Sequence, residues 1–159
     1  MTMRTALWAG AVSAVLSGAP STAWALASGA DPLAPSLAAG SMLLPRATSR
    51  PRLLIAATGM HVALSLGWAQ ALAVLPGSRR RSVVGGVLWG AAAGVGIAAL
   101  DLGLVHLSGS ARFVAVRGLP VLPQVADHLA YGAIVGALLE RPGCPSRRAT
   151  ALPGRRRSE

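Results

Sequence analysis

The stretch VVGGVLWGAAAGVGIAALDLGLVHL, Val83 to Leu107, decides the fold class. Asp101 and His106 are its only ionisable residues, and no polar face recurs at helical period. A segment of ~20 apolar residues is what an α-helix needs to cross a ~30 Å hydrocarbon core. A helix of a water-soluble fold would carry a polar stripe, and this one has none. The segment therefore predicts a membrane-spanning helix.

Working outward, three more apolar blocks have the same length: about 5–27, 53–75 and 119–139. The composition agrees, with hydrophobic residues at 53% and charged residues at 13%, where soluble domains run about a quarter charged. The expectation is an all-α integral membrane bundle of four transmembrane helices over residues 1–140. Between the first two spans, Asp31-Pro32 reads as an N-cap followed by proline at the first helical position. Leu33, Leu37 and Leu44 then recur at roughly helical spacing, which predicts a short interfacial helix over 32–44. Residues 141–159, rich in Arg, Pro, Gly and Ser, read as a disordered cytoplasmic tail.

The net charge of +10 comes from arginine alone, since the chain has no lysine. The arginines lie in the gaps between apolar blocks, where they act as topology signals, so nucleic acid is not an expected partner. With the N-terminus inside, Arg4, the Arg79–Arg81 triplet and the tail put ten arginines on the inner side. Arg46, Arg50, Arg52, Arg112 and Arg117 put five on the outer side. The positive-inside rule then sets both termini in the cytoplasm of a bacterial plasma membrane. The rival reading of the first block is a secretory signal peptide, with small-residue cleavage sites around Ala23–Ala27; retention is favoured. The single Cys144 permits no intramolecular disulfide.

The residues that need a reason are the intramembrane ionisable ones, because a charge in hydrocarbon costs at least ~2.5–3.5 kcal/mol. At ~1.5 Å per residue, Asp101 lies about 9 Å below the outer boundary and His61 about 12 Å below it. Asp127 and His128 lie at a similar depth, as does the Pro20-Ser21-Thr22 step, and His106 sits at the rim. Gly86, Gly90 and Gly94 form a small-residue stripe running toward Asp101, and His128, Gly132 and Gly136 form a second. Such stripes permit close helix contact. Packing them together predicts one outer-leaflet cluster of His61, Asp101, Asp127 and His128.

Three readings compete for that cluster. The leading one is structural: carboxylates and imidazoles fix helix register in a small structural or accessory membrane component. The alternative is a small permease or proton- or ion-coupled transport component, in which Asp/His pathways are usual. A metal or haem site ranks third, because no local ligand motif is present. No metal, cofactor or enzymatic activity is expected. The expected partners are the lipid bilayer and a second copy of the chain or another membrane protein.

Four strings together, Gly18-Ala19-Pro20-Ser21-Thr22, Asp31-Pro32-Leu33, Ala99-Leu100-Asp101-Leu102-Gly103 and Leu122-Pro123-Gln124-Val125-Ala126-Asp127-His128, resemble those of uncharacterised four-span bacterial membrane proteins. The resemblance covers most of residues 10–139 and implies a retained first helix and a plasma-membrane location. It implies no activity, and the arginine-rich tail departs from the pattern.

Overall fold

The computed structural model describes residues 3–75 and 82–140. The Arg79–Arg81 triplet, Cys144 and the tail lie outside them. Among the described residues the chain is all-helical. The helices are α1 (Met3–Leu16), α2 (Ala19–Ser28), α3 (Ala34–Leu43), α4 (Arg50–Val74), α5 (Val83–Leu107), α6 (Val114–Arg117) and α7 (Val121–Leu139), with a 3-10 turn at Ala111–Phe113. Helices α4, α5 and α7 are each long and apolar enough to cross a membrane. Their outward side chains are aliphatic: Ile55, Leu88, Leu100 and Leu104 are all well exposed. That surface suits hydrocarbon and would be unstable in water.

The first apolar block is not one helix but two. Pro20 has no N–H to meet the Leu16 carbonyl, and its ring clashes with that carbonyl, so the helix cannot run through. Gly18 stands at the junction as the N-cap of α2, with Pro20 in the first turn. The Gly18 carbonyl accepts from Thr22 N–H at 3.1 Å, from Thr22 Oγ1 at 2.8 Å and from Ser21 Oγ at 3.2 Å. Gly29, at a φ of 71°, ends α2 in the left-handed conformation that glycine adopts without strain.

A further expectation is corrected. Asp31 is not the N-cap of α3; that position is Leu33, with Pro35 in the first turn. Asp31 instead accepts from Leu33 N–H at 2.9 Å, an Asx turn that precedes the helix. Its carboxylate also pairs with Arg50 at 2.5 Å. The Leu33 N–H, the largest effect, holds its carboxyl below the usual carboxylate range against desolvation, and Arg50 adds to the lowering. Arg117, in the second long connector, donates to the Val105 carbonyl at 3.3 Å.

Helix α7 is the hub of the bundle. It packs on α5 along one side and on α1, α2 and α4 along the other. The α5–α7 seam is antiparallel and nearly bare of side chains. A Cβ added at Gly90 would lie 2.0 Å from the Gly132 carbonyl oxygen, one at Gly136 2.0 Å from that of Gly86, and one at Gly94 2.2 Å from that of His128. Only glycine lets the two backbones approach so closely. On the other side, α1 and α4 run antiparallel, with Gly10 against Ser65 and Ala69. Ala6, Ala9, Ala69, Leu72 and Val135 join there in one core. A separate apolar cluster of Ala38, Val105 and Val116 ties α3 to the end of α5 and to α6. Both long connectors therefore cap the same end of the bundle.

Because the glycine seam has no slack, Gly90→Leu is expected to destabilise the detergent-solubilised protein by at least about 1–3 kcal/mol. Gly96→Leu, on the same helix but facing open space, is expected to be near neutral. Thermal unfolding of the two variants checks this; equal melting would refute the tight seam.

Candidate functional site

The break between α1 and α2 creates the site. A helix start leaves backbone N–H groups without intrahelical acceptors, and Gly18 has no side chain with which to cap them. The carboxylate of Asp127, on α7, supplies the acceptor: Ser21 N–H donates to Asp127 Oδ1 at 2.9 Å. A negative group at a helix N-terminus is also favoured by the helix dipole. On the other side of the break, the last turn of α1 leaves carbonyls exposed. His61, on α4, donates from Nε2 to the Ala14 carbonyl at 2.8 Å. A carbonyl can only accept, so that nitrogen carries the proton.

His128 bridges to the glycine seam. Its Nδ1 donates to the Gln124 carbonyl at 2.7 Å, and its Nε2 lies 3.4 Å from Asp101 Oδ2 on α5. With Nδ1–H already committed, the Asp101–His128 contact needs one proton shared between Nε2 and Oδ2. It is either an imidazolium–carboxylate pair or a neutral acid–imidazole pair. The register that puts them together comes from Gly94, two turns before Asp101, whose backbone abuts the His128 carbonyl.

A cavity of about 460 Å³ opens at the break, walled by the break itself, α3, α4 and the start of α7. His61, Asp127 and His128 all line it, with Trp68 and Tyr131 deeper along α4 and α7. Asp101 does not; it stands behind His128 on the α5 side. The four residues expected to cluster thus divide into three at a cavity and one at a seam, linked through His128. His106 lies exposed near the end of α5. Tyr131, fully inside, donates its hydroxyl to the Ser65 carbonyl and pins α7 to α4. Among the described residues no group of three or more His, Cys, Asp or Glu side chains is placed to hold a metal ion.

Sequence reasoning weighed Ser21 but missed the rest of its row. Ser13, Ser17 and Ser21 recur every fourth residue, on one face of α1 and onward across the break, and all three are buried. Ser17 and Ser21 line the cavity. Ser13 Oγ, one turn further into the core, meets no hydrogen-bond partner among the described residues. The spacing was visible in the sequence, but serine is common enough in membrane helices that spacing alone says little.

The chain matches no known protein family, no curated protein and no solved structure.

An unpartnered buried hydroxyl costs about 1–3 kcal/mol. Ser13→Ala is therefore expected to raise the detergent unfolding midpoint. A fall instead would mean that the hydroxyl is satisfied by water, and that the serine row carries a hydrated path beyond the cavity.

Proposed function

We propose that this is a four-pass plasma-membrane protein working as a small permease or proton- or ion-coupled transport component. The observation that supports the reading most is the cavity at the helix break, where Asp127, His61 and His128 converge on backbone groups freed by Pro20. Broken helices with irregular backbone at membrane depth are tolerated where they line a cavity. In membrane transporters such breaks mark the substrate or coupling-ion site.

The topology that goes with it counts α1 and α2 as one broken span, with α3 lying at the outer interface and both termini cytoplasmic. Support comes from the two long connectors capping one end together. The burial of Ala6 and Ala9 in the central core supports retention of the first segment, because its removal would unroof the cavity. The four-span bacterial resemblance points the same way.

The second reading, a structural or accessory component, is favoured by a different observation. Each ionisable side chain at the break has a partner: Asp127 has Ser21, His61 has Ala14, and His128 has Gln124 and Asp101. Such pairing fixes register whether or not anything is carried.

The two readings separate in a labelling experiment. Single cysteines replace Ser17 or His106 in a Cys144→Ser background and meet membrane-impermeant thiol reagents in right-side-out and inverted vesicles. A permease exposes position 17 to each side in turn, so both vesicle types should label. Position 106 should label from outside only. Reaction at position 17 from one side alone would sink the transport reading, and reaction at 106 from the cytoplasmic side would overturn the topology.

A further inference from the structure

The walls of the cavity state which chemistry it takes, given the reading above that it is a solute site. Among the described residues Asp127 is its only carboxylate, and no arginine lines it. His61 needs no charge to make its bond, since one N–H donated to a carbonyl suffices for a neutral imidazole. His128 shares its second proton with Asp101, so that pair carries no net charge whether the proton sits on Nε2 or on Oδ2. With that pair balanced, the Asp127 carboxylate sets the sign of the cavity, and among the described residues no arginine is there to hold an anion.

The polar donors narrow the class further, because most are already engaged within the protein. Ser21 and Thr22 hydroxyls donate to the Gly18 carbonyl. The Gln124 amide donates to the Pro120 carbonyl at 3.1 Å, and Tyr131 to that of Ser65. Among the described residues, little beyond the Ser17, Ser36, Thr58 and Ser65 hydroxyls is left for a sugar or other polyol, which needs many hydrogen bonds to replace its hydration. What remains is apolar wall: Met42, Leu54, Leu64, Leu119 and the indole of Trp68. A cation with an apolar body suits such a lining, with the charge attracted to the carboxylate and to aromatic faces. The volume lies within the range of small-molecule pockets, roughly 300–1,000 Å³.

We infer that the cavity is a binding site for a lipophilic organic monocation, such as a quaternary ammonium, a phosphonium or a protonated tertiary amine. Its charge is held at Asp127 and its apolar body lies against Trp68 and Leu64. A metal cation is the wrong occupant, because the site offers one carboxylate where a hard cation needs several oxygen ligands.

The test compares two probes of matched shape and opposite charge, tetraphenylphosphonium and tetraphenylborate, on the full chain in lipid nanodiscs, with empty nanodiscs subtracted. Saturable phosphonium binding without borate binding is expected. Asp127→Asn keeps an oxygen to accept from Ser21 N–H, so it should fold while binding phosphonium at least about tenfold more weakly. Trp68→Leu leaves Asp127 untouched and should weaken binding about tenfold, which keeps the test decisive if the Asn variant unfolds. Equal binding of the two probes, or phosphonium binding unchanged in a folded Asp127→Asn protein, would overturn the inference. Two-sided labelling at position 17 with no phosphonium binding would sink the cation class and leave the transport reading standing. Phosphonium binding with one-sided labelling would establish the site and sink transport.

Discussion

A helix broken inside an apolar bundle must have its freed N–H and C=O groups satisfied from elsewhere in the protein. An unsatisfied polar group in hydrocarbon costs several kcal/mol. Here the debt created by Pro20 is met from both sides of the break, and by side chains from two different helices. Asp127 caps the amide of Ser21 from α7, and His61 meets the carbonyl of Ala14 from α4. These bonds hold three segments around one point. The cavity exists because the segments meet there without filling the space between them.

That arrangement requires α7 to be fixed in rotation and height, and the glycine seam does this. Gly86, Gly90 and Gly94 of α5 lie against Gly136, Gly132 and the His128 carbonyl of α7 at distances that exclude any side chain. A shift along or around α7 would bring a Cβ into a backbone oxygen, so the seam permits one register. In that register Asp101 reaches His128, and Asp127, the neighbouring residue, faces the break on the other side of α7. The same helix therefore carries the imidazole of the Asp101–His128 pair at its seam and a carboxylate at its cavity. Tyr131 and Ser65 lock the remaining contact to α4.

The consequence for function is that Asp127 serves two ends at once. It caps α2, and among the described residues it is the only carboxylate lining the cavity. A group that engaged Asp127 from within the cavity would share the carboxylate with the Ser21 amide, which would link occupancy to the position of α2. Binding at such a point shifts the conformations of the segment it caps whenever affinity differs between them.

How much of this could be read from residues alone follows from the physics of each part. Apolar length and the absence of a polar face determine which segments are long enough to span, because hydrocarbon tests each segment separately; α4, α5 and α7 were legible for that reason. The glycine stripes and the four ionisable residues were legible too, being anomalies in an otherwise aliphatic background. Four-residue spacing placed the stripes on faces, since helical geometry is local. The division of the first block into α1 and α2 was only half visible: Pro20 announced a kink, but whether a proline bends or ends a helix depends on who satisfies the freed groups. That was decided by Asp127 and His61, which lie 107 and 41 residues further along the chain. Likewise, the spacing of Asp31-Pro32 suggested a cap, and only the approach of Arg50 and the turn at Leu33 gave the aspartate its actual place. Local chemistry thus determined the helices and the polar residues that needed partners. Tertiary packing alone decided which partner each received, because a hydrogen bond between helices depends on register, and register is set by the close approach of backbones distant in sequence.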